Sequence, residues 1–150
     1  MSEEYRNIYK IARRTAGFTQ EAAAERLGIS VESVRAYEIG QRIPPNDIVN
    51  AMVSCYGTQH LAVQHLQENN VLFGQVIPQL EERSVLEVTV RIYNRLRRFQ
   101  KDNRLDRLLA IAEDGIIDDQ ERPEFETIIS DLRQIIQSGL ELEVYCKDGN

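Results

Sequence analysis

Imidazole and thiol side chains, the usual ligands of transition metals, are few in this 150-residue chain: two His and two Cys. The two histidines, His60 and His65, are five positions apart. That spacing puts them on different faces of a helix, not side by side as a metal-binding pair requires, and no Glu follows His60. Cys55 and Cys146 alone make no metal framework. The run Asp114–Glu121 has a calcium-loop look. Aligning Gly115 with the invariant glycine of an EF-hand, however, places Ala110 and Ala112 where the first carboxylate ligands belong. A glycine helix stop followed by an aspartate cap accounts for the same residues. No nucleophile–base arrangement, phosphate-cradling glycine loop or nucleotide fingerprint is present. The expectation is therefore a protein that is not an enzyme and carries no cofactor.

Charge is the other chemical resource. The net charge is −6, with 18 Lys and Arg against 24 Asp and Glu. It is unevenly spread. Residues 1–57 hold seven of each sign and balance to zero, so the acidity lies beyond them. Arg91, Arg95, Arg97, Arg98, Lys101, Arg104 and Arg107 face only Asp102 and Asp106, whereas residues 108–150 hold eleven acids against three bases. Three readings are open: opposite faces that meet within or between subunits and steer assembly, an auxiliary phosphate-binding surface, or simple solvated faces.

The stretch Thr19–Glu38, TQEAAAERLGISVESVRAYE, shows which elements position side chains. Thr19 can cap a first helix, and Glu21 to Leu27 are strong helix formers. Gly28 suits a left-handed helix end, and Ser30 can cap a second helix starting at Val31. Ala23 and Ala24 are small enough for two helices to cross steeply, with Ala23, Leu27, Ile29, Val34 and Tyr37 inward. This is the layout of a helix-turn-helix.

At these residues the chain resembles the phage repressor and Cro (Xre-type) family of helix-turn-helix regulators. The shared pattern is Thr19-Gln20-Glu21, Leu27-Gly28-Ile29-Ser30 and Tyr37-Glu38-Ile39-Gly40-Gln41-Arg42-Ile43-Pro44, within a resemblance covering roughly residues 4 to 67. The resemblance implies a five-helix domain whose second motif helix reads the major groove of double-stranded DNA. It implies base-facing positions at Val31, Glu32, Ser33 and Ala36, with Arg35 beside them. Glu32 can accept from a cytosine amino group, and Val31 or Ala36 can touch a thymine methyl. Thr19, Gln20, Gln41 and Arg42 are implied phosphate contacts, with Arg14 and Asn46 weaker candidates. Arg13 and Glu38 match a structural ion pair. Some family members cleave themselves with a Ser–Lys pair in a β-rich C-terminal domain; here that half reads as helical, and its lysines are Lys101 and Lys147.

The remaining chain is read from periodicity. Helix 1 is expected from Ser2 to Thr15 with Ile8, Ile11, Ala12 and Thr15 inward. Helix 4 is expected over Asn46 to Tyr56, and helix 5 from a Thr58 cap with Leu61, Ala62 and Leu66 inward. Residues 71–80, VLFGQVIPQL, read as a packed connector. Ser84-Val85-Leu86-Glu87 is a capping-box pattern. It opens a helix over 84–100 with Leu86, Val90, Tyr93, Leu96 and Phe99 on one stripe. A second runs over 102–114 with Leu105, Leu108, Leu109 and Ala112 buried. A third starts at an Asp118 or Asp119 cap, with Phe125, Ile128, Ile129, Leu132, Ile135 and Ile136 on its stripe, and continues to about 145. The alternation of residues 140–146 also fits a short strand.

No apolar run approaches about 20 residues, so no membrane span is expected, and the polar start is unlike a signal peptide. The expectation is an all-α, cytoplasmic protein with a DNA-binding domain over 1–68, a connector over 69–83 and a helical dimerisation region over 84–150. It would act as a homodimer, since one helix-turn-helix reads only a few base pairs. The sign of regulation is expected to be repression. The rival is a protein-interaction module whose helical C-terminal half binds an antirepressor or toxin. Any small-molecule effector is left open.

Overall fold

A computed structural model describes residues 6–147. Among the described residues there are nine α-helices and no strand. The contacts divide the chain into two units, with the break between Phe73 and Gly74.

The first unit contains α1 (Ile8–Thr15), α2 (Gln20–Leu27), α3 (Val31–Glu38), α4 (Asn46–Tyr56) and α5 (His60–Asn69). The ends of the central helices have local causes. Thr19 accepts from the Ala22 amide at 3.1 Å and Ser30 from the Ser33 amide at 3.1 Å, so each satisfies an orphan donor of its helix. Gly28, with φ of +67°, turns the chain out of α2 through a conformation other residues rarely adopt. Ala23, Tyr37, Val49, Met52, Tyr56 and Leu61 make the core with Ile8 and Tyr9.

Helix 1 differs from expectation. Residues 2–5 lie outside the described residues, while Arg6 and Asn7 are not helical. Asn7 instead caps α1, accepting from the Lys10 amide at 2.9 Å and donating to the Tyr37 carbonyl at 2.8 Å. The buried face is Ile8, Tyr9 and Arg13, and Ile11 points outward. In α5 the helix starts after Gln59, not at a Thr58 cap, and Leu61, Val63 and His65 are its buried positions, with Ala62 and Leu66 only half-buried.

Residues 71–76 form a short helix, α6 (Val71–Val76), in which Val71, Leu72 and Val76 are exposed. The packed part of the connector is the segment after it. Leu80 is buried there, Gln137 donates to the Gln79 carbonyl at 2.8 Å, and the Glu81 amide donates to Glu141 at 3.2 Å.

The second unit is built on α7 (Val85–Lys101), α8 (Arg104–Ala112) and α9 (Arg122–Cys146). Ser84 and Glu87 make both bonds of the capping box. Residues 140–146 continue α9, which excludes the strand. α7 and α9 run antiparallel. Arg83 pairs with Glu141, Arg95 donates to the Gln134 carbonyl at 2.6 Å, and Arg104 pairs with Asp131 at 3.0 Å, so numbers fall along α9 as they rise along α7.

The apolar stripes are where expectation and structure part. Val88, Ile111 and Ile128 are buried, and Phe99 is half-buried. Leu86 (73% exposed), Val90, Tyr93 (61% exposed) and Leu96 lie on the outside of α7. Leu105 and Leu109 of α8 and Ile129 and Ile136 of α9 are likewise exposed, and Leu108 is half-buried. Three helices cover only one side of each other, so part of every stripe is left without a neighbour.

Candidate nucleic-acid interface

The helix-turn-helix presents α3 on the surface. Glu32 and Arg35 are exposed, and Val31 and Ser33 are partly so. Ala36 is different. It is only 9% exposed, and its carbonyl accepts from the Gln41 and Arg42 amides at 2.9 and 3.2 Å. Little of it is therefore accessible on the face where the resemblance places it.

Behind that face a chain of polar contacts pins the helix. Arg13 Nε donates to Glu38 Oε1 at 2.5 Å and Arg13 Nη2 to Glu38 Oε2 at 3.0 Å, a bidentate pair in which both side chains are buried. Arg13 Nη1 also donates to the Phe18 carbonyl at 2.6 Å, tying in the turn before α2. Burial pushes the Glu38 carboxyl up, but hydrogen bonds from Arg13 and Gln20 outweigh it and hold the group below its ordinary value. The Arg13 guanidinium is correspondingly raised by its bond to Glu38.

Gln20 extends the chain outward. Its Nε2 donates to Glu38 Oε2 at 2.8 Å, and its Oε1 accepts from Arg35 Nε at 3.3 Å. One side chain at the start of α2 thus links the buried carboxylate to an exposed guanidinium on α3. An amide nitrogen carries two hydrogens, so a second donor of Gln20 remains for an outside acceptor. Arg35 also lies 3.8 Å from both Glu21 and Glu32, exposed pairs of little energetic weight.

The loop after α3 supplies the other edge. Arg42 stacks over the Tyr37 ring at 5.3 Å and donates to the Ser33 hydroxyl at 2.9 Å, which holds its charge beside α3. Gln41 and Thr19 are exposed, Thr19 with its oxygen already capping α2. Thr19, Gln20, Ser33, Arg35 and Arg42 are therefore brought to one region around α3, with Gln41 beside Arg42 in the chain.

Asn7 had no part in the sequence reading, and His65 entered it only as half of an excluded metal pair. Asn7 joins the start of α1 to the end of α3, and its only sequence signal is a capping residue ahead of an apolar run. His65 is buried. Its Nε2 bonds Asn46 Oδ1 at 2.9 Å and its Nδ1 bonds the Tyr9 hydroxyl at 2.7 Å. The amide oxygen can only accept, so Nε2 carries the proton and Tyr9 donates to Nδ1. Burial lowers the imidazole pKa. A solvent-shaped count of histidines could not have shown this triad, because Tyr9, Asn46 and His65 are far apart in the chain.

Among the described residues no group of three His, Cys, Asp or Glu side chains could hold a metal ion, and no helix is long and apolar enough to cross a membrane. Residues 10–66 match a family model described as a helix-turn-helix domain, the span that carries the geometry above. Comparison with curated proteins and with solved structures gave no match.

Proposed function

We propose that this chain is a sequence-specific regulator of transcription that binds double-stranded DNA with α3 in the major groove. The observation that carries the proposal is the pinned reading helix. Within a stretch matching a helix-turn-helix domain, Val31, Glu32, Ser33 and Arg35 lie on an accessible face whose rear is fixed by Arg13, Glu38 and Gln20. A reader must hold base-edge donors and acceptors in register, and a clamped helix does so at little entropic cost. In this reading Thr19, Gln20, Gln41 and Arg42 grip phosphates, and Glu32 and Arg35 face bases. Residues 1–68 form the DNA-binding domain, 69–83 a connector and 84–150 the dimerisation region. The protein is a cytoplasmic homodimer of the phage repressor and Cro type, occupies a two-fold operator and represses by covering it. No step of this function calls for catalysis.

Selection of bound duplexes from a random pool tests the reading. The expected result is a two-fold consensus with half-sites about 34 Å apart or a multiple of it. Affinity should fall steeply with salt, as phosphate contacts release counterions. No binding to any duplex at low salt would overturn the proposal and favour a protein-interaction module.

A further inference from the structure

The face of α7 that the chain leaves uncovered has a pattern that is complementary to itself when reversed. Leu86, Val90, Tyr93 and Leu96 share one exposed stripe. Reversing the helix about Tyr93 lays Val90 over Leu96 and Tyr93 over its own copy. Part of the charge pattern follows the same symmetry, while Arg91 and Arg97 add further positive charge to that side of the helix. Glu87 lies on one flank of the stripe, and Arg98 and Lys101 lie on that same flank about three and four turns later. A two-fold axis normal to an antiparallel helix pair brings like flanks together, so Glu87 of one copy meets Arg98 and Lys101 of the other. A parallel pair would set that flank against the Val85 side instead.

These groups have little else to do. Glu87 spends one carboxylate oxygen on the Ser84 amide at 3.2 Å. Arg98 and Lys101 make no ion pair among the described residues, whereas Arg104 and Arg107 are paired with Asp131 and Glu124 of α9. Beside the stripe, a groove of about 320 Å³ is lined by Leu86, Glu87 and Val90 with Arg83 and Arg91. Arg83 is held by Glu81 and Glu141, so the cation nearest Glu87 along the same helix is Arg91, one turn on, and the two make no ion pair within the described chain.

We propose that the occupant of this face is a second copy of the chain, joined through antiparallel α7 helices about a two-fold axis at Tyr93, with Glu87 opposite Arg98 and Lys101. The proposal rests on the dimeric reading above and specifies the surface that makes it. Such an isologous contact closes on itself, so assembly stops at two copies.

The test uses the full chain with Cys55→Ser and Cys146→Ser. Tyr93→Cys in that background should oxidise to a covalent dimer in high yield, and Leu105→Cys on α8 should not. R98E/K101E should raise the dimer dissociation constant at least tenfold in sedimentation equilibrium, with helicity by circular dichroism unchanged. Mixing that variant with E87R should restore a heterodimer, because both flank pairs are then opposite in sign. A dimer that neither cross-links through position 93 nor responds to R98E/K101E overturns this surface and leaves dimeric DNA binding intact. A chain that is monomeric at all concentrations overturns this surface and the dimer together, and duplex binding measured on the same sample shows separately whether DNA recognition survives.

Discussion

Glu38 does more than its polar type suggests. It accepts from Arg13 twice and from Gln20 once, at the point where α1, α2 and the end of α3 meet. Removing it strands a buried guanidinium that keeps only the Phe18 carbonyl. Glu38→Ala should lower stability by about 3 to 5 kcal/mol in urea unfolding, and an apolar replacement of both Arg13 and Glu38 should cost less than either single change. The pair also sets an acid limit. The folded pKa of Glu38 is depressed, so its contribution is complete above the unfolded carboxyl pKa and lost as pH falls through the lower folded value. His65 acts at higher pH. Its folded pKa is likewise depressed, so the unfolded chain takes up the proton first, and stability falls as pH drops below about 6.5. The urea midpoint should decline between about pH 7 and pH 5, and His65→Gln should remove most of that slope.

At the scale of elements, α3 has two faces with separate duties. Val34, Ala36 and Tyr37 are spent on packing, which leaves Glu32, Arg35 and the half-buried Val31 and Ser33 to meet a ligand. If α3 reads DNA as proposed, base discrimination falls mainly on Glu32 and Arg35. Glu32→Gln should change the preferred base at one position of each half-site in a selection experiment. Arg42→Ala should weaken every duplex by a similar factor and reduce the slope of affinity against salt by about 1. A change of preference with Arg42→Ala would move that residue from the phosphate group to the base-reading group. Gln20 bonds both Glu38 and Arg35, and under the proposed reading its remaining donor meets a phosphate.

At the scale of the molecule the two units solve burial differently. The first encloses Met52, Leu61, Val34 and Ala23 almost completely with five short helices. The second has longer helices but buries few apolar side chains, chiefly Leu80, Val88, Ile111 and Ile128, and exposes Leu86, Tyr93, Leu105 and Leu109. A unit with so small a core gains from a partner, and stability supplied by association depends on concentration. The thermal midpoint of the second unit should rise with protein concentration, by differential scanning calorimetry over a hundredfold range, while that of the first stays fixed. A midpoint independent of concentration in both would speak against a coupled dimer.

Most of the helix ends could be read from residues close together in the sequence. Thr19, Ser30 and Ser84 mark helix starts, and Gly28 and Gly57 mark stops, because capping and left-handed turns depend on residues a few positions apart. At Gly139 local signals were divided, since alternation over a few residues left a strand open, and the structure continues α9 to Cys146. Which side of each helix is covered depends on the packing of the whole unit. Ile11, Leu86 and Tyr93 fit a buried stripe by period yet face outward, because coverage depends on how many helices arrive from elsewhere in the chain. For the same reason the sequence did not show Gln20 bridging Glu38 to Arg35, or Tyr9 and Asn46 meeting at His65. Such contacts join residues tens of positions apart, and no spacing rule along one helix encodes them.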